Sequence, residues 1–70
     1  MKDYEVMIIR RYTGKIADVV VTRYTAGDRP EFRVGWRLRD PDLRDFAGDS
    51  AWFNNKTAAI LHAQFLAGRL

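Results

Sequence analysis

Cysteine is absent from this 70-residue chain and histidine occurs once. Without thiols there is no disulfide staple and no thiolate metal site, so packing, a partner or self-association must hold the fold. The lone histidine, His62, lies among alanine and glutamine, too few donors for zinc, and no metal or cofactor is expected. Asp40, Asp42, Asp45 and Asp49 lack the spacing, glutamate and glycine of a calcium loop and read as solvated, helix-capping carboxylates. The five glycines are scattered and cannot build a phosphate-cradling loop. Long apolar runs are also missing. "VMII" at 6 to 9 ends in two arginines, far short of a membrane span or a signal-peptide core, so a cytoplasmic chain with no membrane partner is expected.

What is present is basic and small. Twelve Lys plus Arg against nine Asp plus Glu leave a net charge of +3, and nine of the twelve are arginines. Such a surface favours acidic partners mildly, whereas a domain that coats DNA usually carries a more lopsided balance, because its affinity rests on neutralising phosphates. GC-rich codon usage would enrich arginine too. Seventy residues make one domain, 1–70, near the lower limit for a single core and with little room for a water-excluding pocket. Enzymatic activity is not expected, and no catalytic residue is assigned.

Residues 4 to 12, "YEVMIIRRY", and 15 to 25, "KIADVVVTRYT", are rich in β-branched and aromatic types. They read as a hairpin closed at "YTGK", with Gly14 supplying a positive φ in a bulged three-residue loop. A third strand covers about 31 to 39, with Pro30 just outside the ladder. Over 41 to 47 a short helical turn is expected, capped by Asp40, started by Pro41 and ended near Gly48, with Leu43 and Phe46 closing one end of the core. From about residue 53 an alanine-rich helix follows, capped by Asn54 or Asn55. The expected fold is α+β: a three-stranded antiparallel sheet (βββα) with the C-terminal helix on one face. Phe32, Val34, Trp36 and Leu38 would meet Trp52, Ala59, Ile60, Ala63, Leu66, Ala67 and Leu70, with Trp36 facing Ile60.

Two features break this pattern. "VMII" and "VVV" put apolar side chains on successive strand positions, so both faces of the hairpin carry them. Either loops fold over the back, or a partner or a second copy of the chain covers it. On the helix, Ala58, Leu61 and Phe65 fall away from the main arc and suggest a second interface or a broad core.

"EFRVGWRLRD", 31 to 40, alternates throughout. Arg33, Gly35, Arg37 and Arg39 point away from the helix, with Arg23 and either Arg10 or Arg11 beside them across the strands. Gly35 opens a gap in which another backbone or a phosphate can approach the strand, and guanidinium groups offer two-pronged donation to carboxylate or phosphate. The alternative is a solvated face paired with Glu31, Asp18 and Glu5.

In size and layout the chain resembles the small phage and mobile-element proteins that disable host defence nucleases, the anti-CRISPR type. That resemblance implies a binding protein that inhibits a protein or nucleoprotein partner by occlusion, and it carries over no residue. Three strands followed by "WFNNKTAAILHAQFL" also look like the arm-binding domains of phage integrases and the plant AP2 domain. There the exposed sheet face reads the DNA major groove, which implies nucleic-acid binding through Arg23, Arg33, Arg37 and Arg39. A homodimer is expected as well, since two apolar patches remain once the helix docks.

Overall fold

The structure, a computed structural model, describes residues 4–26, 28–43 and 47–70. Strands β1 (Tyr4–Thr13), β2 (Ala17–Ala26) and β3 (Arg29–Leu38) are followed by a single 3-10 turn, Pro41–Leu43. Strand β4 (Ala47–Phe53) and helix α1 (Lys56–Arg69) complete the chain. The strands pair antiparallel in the order β1-β2-β3-β4. The fold is thus α+β with an antiparallel sheet and a C-terminal helix, but the sheet has four strands where three were expected.

Of the helical turn expected at 41–47, the 3-10 segment Pro41–Leu43 forms, residues 44–46 lie outside the described residues, and the fourth strand begins at Ala47. "AGDSAWF" is poor in β-branched residues and holds Gly48, Asp49 and Ser50, so its own propensity argues for a loop. Tertiary pairing overrides that. Opposite β3, Phe53 meets Phe32 and Ala51 meets Val34, which adds Phe53 to the rim of the core. Gly48 pairs with Trp36, and a Cβ there would lie 3.2 Å from the indole ring, so the glycine admits the tryptophan rather than ending a helix. Trp52, expected on the inner arc of the helix, belongs to β4 and points from the opposite sheet face, half exposed. Leu43 is exposed as well and does not close the core. Its expected companion Phe46 lies outside the described residues.

Helix α1 begins where its cap expectation placed it. The Asn55 side-chain oxygen accepts the Ala58 N–H at 3.0 Å. One turn further, Ala59 and Ala63 are fully buried against Val19, Val21, Phe32 and Val34, and their small side chains let the helix lie close to the strands. Ile9, Tyr12, Trp36, Phe53, Leu66, Ala67 and Leu70 surround this centre. Ile60, expected to face Trp36, is half buried and is not among the side chains packed against this centre.

The far end of the helix is pinned by the first hairpin. Gly14 donates to the Ala17 carbonyl at 2.8 Å and the Ile16 N–H donates to the Leu70 carbonyl at 2.6 Å. A Cβ on Gly14 would stand 2.7 Å from the Leu70 carbonyl carbon and 2.9 Å from the Ala67 oxygen. Glycine is needed here for close approach, and not for the positive φ that the turn reading proposed. Gly14→Ala should therefore lift the helix end off the hairpin. We expect a loss of about 1 to 3 kcal/mol in denaturant unfolding, with faster amide exchange at Ile16; a variant as stable as the parent would contradict this packing.

Candidate functional site

Strand register sorts the side chains into rows across the face that the helix leaves uncovered. One row runs Arg11, Val20, Gly35, Asp49, and the next runs Thr13, Asp18, Arg37, Ala47. On the other side lie Ile8, Thr22, Arg33, Trp52, then Val6, Tyr24 and Glu31. Neither the loops nor the 3-10 turn shields Val6 or Ile8, each 48% exposed, or Trp52 at 51%.

Between the rows is a groove of about 570 Å³, lined by Ile8, Arg11, Val20, Gly35, Arg37 and Asp49 among others. Gly35 makes it. Any larger residue would project a Cβ to 3.3 Å from the Gly48 carbonyl and 3.5 Å from the Asp49 carboxylate. A bulge in β4 supplies its acidic wall: Asp49 pairs with Gly35 and Ala51 with Val34, so Ser50 is the extra residue and the Asp49 side chain turns to this face.

The arginines divide into two sets. Arg33 is half buried, its guanidinium carbon 5.3 Å from the centroid of the Tyr24 ring, which itself lies 5.3 Å from the Trp52 ring. Its Nε approaches Asp49 Oδ1 at 3.4 Å, an ion-pair distance without hydrogen-bond geometry, so this inaccessible nitrogen has no hydrogen-bond partner among the described residues. Arg11 and Arg37 are exposed, and neither forms an ion pair among the described residues. They are the free cations of the groove.

Two expected members of the arginine row are not free on this face. Arg23 pairs with Phe32 and so lies on the helix side, where its Nη2 is 3.8 Å from the Met7 sulfur. Arg39 follows the last residue of β3 and folds over the hairpin loop. It donates to the carbonyls of Lys15 at 2.5 Å and Ala17 at 3.2 Å and pairs with Asp18 at 2.8 Å. These contacts tie the end of β3 to the hairpin. Sequence reading missed Trp52, Tyr24 and Asp49, because each reaches this face only through the pairing of β4 or the register of β2. Between Arg10 and Arg11 the choice is made by a bulge in β1 between Ile8 and Arg10, which turns Arg11 to the groove and Arg10 to the helix side.

On the outer side of α1, Leu61 and Phe65 are exposed and Ala58 is half buried, with the Arg69 guanidinium carbon 5.3 Å from the Phe65 ring centroid. The lone histidine ties helix to sheet: Ser50 Oγ and His62 Nε2 are 2.7 Å apart, and the imidazole lies 5.4 Å from the Phe53 ring. No group of three His, Cys, Asp or Glu able to hold a metal occurs among the described residues. Among the same residues, no helix is long and apolar enough to cross a membrane.

The chain matches no protein-family model, no curated protein and no solved structure. Its arginines can be separated by their contacts alone. Arg39→Ala should cost about 1 to 2 kcal/mol in a thermal or denaturant melt, because it strips two loop carbonyls and Asp18 of a charged donor. Arg37→Ala, one alternate position earlier, should fall within about 0.5 kcal/mol of the parent. Equal effects would show that Arg39 does not clamp the hairpin.

Proposed function

We propose that the chain is a non-enzymatic docking protein that inhibits or regulates a protein or nucleoprotein partner by occlusion, using the uncovered sheet face. The observation that carries this reading is the composition of that face. Ile8, Arg33 and the unpaired Arg11 and Arg37 line a groove at Gly35, and exposed Val6 and Trp52 with the Tyr24 ring that Arg33 stacks on extend the same sheet face beside it. Aromatic and arginine side chains at a partly apolar, already ordered surface are the residue types that dominate protein–protein hot spots. Arg11 and Arg37 select an acidic segment of the partner, and Gly35 lets its backbone approach the strand. The resemblance to small phage-encoded inhibitors agrees with action by occlusion.

Nucleic-acid binding through the same sheet face is the second reading, favoured by its arginines. Asp49 and Asp18 stand inside the groove and would face the phosphates, Arg23 lies on the helix side, and Arg39 is already engaged by Asp18 and two backbone carbonyls, which leaves too few free cations for a strong counterion-release term.

The double variant Arg11→Glu, Arg37→Glu separates the readings from each other and from folding. Both residues are exposed, so stability should change by less than about 0.5 kcal/mol. Retention of a partner from nuclease-treated bacterial lysate should fall at least about tenfold. Retention that vanishes on nuclease treatment, with duplex-DNA affinity falling steeply as salt rises, would favour the second reading. Unchanged retention by the double variant would remove the groove from the interface.

A further inference from the structure

We propose that β1 is a self-pairing edge, and that two copies of the chain join antiparallel through it into one eight-stranded sheet. Strand β1 is the first in the sheet order, so among the described residues its outer edge has no partner strand. A free edge offers a row of unpaired N–H and C=O groups, and native edges are usually blunted by charge, proline or a bulge. Here the blunting is confined to one end. The bulge lies between Ile8 and Arg10, and Arg10 Nη1 donates to the Ile9 carbonyl at 2.8 Å. From Val6 to Ile8 the edge is apolar on both faces, with Val6, Met7 and Ile8 each about half exposed.

What fits this edge is a second β1, because the segment Glu5–Arg10 is complementary to itself. With a two-fold axis through Met7, the two Met7 residues face each other on the helix side and Val6 meets Ile8 of the other copy on the groove side. Glu5 meets the bulged Ile9 and Arg10 pair of the other copy on the helix side, which gives one opposite-charge contact at each end. The sides follow from pairing within the chain: Glu5 with Thr25, Met7 with Arg23 and Arg10 with Val21, against Val6 with Tyr24 and Ile8 with Thr22. Neighbouring registers fail. Moving the axis to Val6 sets Glu5 against Met7, and moving it to Ile8 sets Val6 against Arg10, which lies on the other face. In the matching register both helices lie on one side, and the two grooves flank a shared patch of Val6 and Ile8 on the other.

The absence of cysteine makes the test clean. Directly opposed residues of an antiparallel pair sit about 4.5 to 5.5 Å apart at Cα, within disulfide reach. Under mild oxidation, Met7→Cys should become a disulfide-linked pair and Leu61→Cys should not. Sedimentation equilibrium of the unaltered chain should give twice its 8.1 kDa mass. Glu5→Arg should shift that equilibrium toward single chains, and Glu5→Arg combined with Arg10→Glu should restore it. A single-chain mass at several hundred micromolar overturns the proposal. So does a two-chain species that cross-links at residue 61 and not at residue 7.

Discussion

Ala59 and Ala63 are the two helix residues buried completely against the sheet, and the close contact they permit governs the rest of the molecule. With methyl side chains at the seam, α1 settles directly onto Val19, Val21 and Val34, and the Cα framework is only 15 Å thick. Such a core is small. Its fully buried large side chains are three valines, which leaves the longer apolar residues at the rim or outside. Fastening at both ends compensates: Asn55 caps the start of α1, and the hairpin at Gly14 and Ile16 receives its other end.

A thin core on one side of a sheet leaves the other side to be explained. In a free-standing two-layer fold that side is normally polar. Here it mixes Val6, Ile8, Tyr24 and Trp52 with arginines whose surroundings differ. Arg39 is spent on backbone carbonyls and Asp18, and Arg33 on a ring and a carboxylate, while Arg11 and Arg37, without an ion pair among the described residues, stand beside Gly35. Exposed cations flanking an open strand contribute little to folding. They are placed where a partner's carboxylates could be met, which is the basis of the docking reading.

Three strands and the helix were legible because their signals are local. Alternation in "EFRVGWRL" assigns Arg33 and Arg37 to one face and Phe32, Val34 and Trp36 to the other, and the Asn55 cap fixes the start of the helix. Non-local features were not legible. β4 exists because Ala51 and Phe53 find Val34 and Phe32 across the sheet, against the propensity of its own residues. The side taken by Arg23 depends on the register set by the loop at 14–16. Arg39, at the end of the row, is taken up by Asp18 and the carbonyls of Lys15 and Ala17. A bulge at Ile9, which no residue announces, decides between Arg10 and Arg11. Of the four arginines expected on that surface, Arg23 therefore lies on the helix side and Arg39 is engaged at the hairpin end.

The central claim is that the helix covers one face only and the opposite face is ordered and open. Trp52 reports on it directly. In a Trp36→Phe background it is the sole tryptophan, half exposed on β4 beside Tyr24 and remote from the β1 edge. The account predicts long-wavelength emission that is efficiently quenched by acrylamide in the folded protein and shielded when partner binds. Short-wavelength emission that resists quenching in the isolated chain would mean that this face is already covered, and would contradict it.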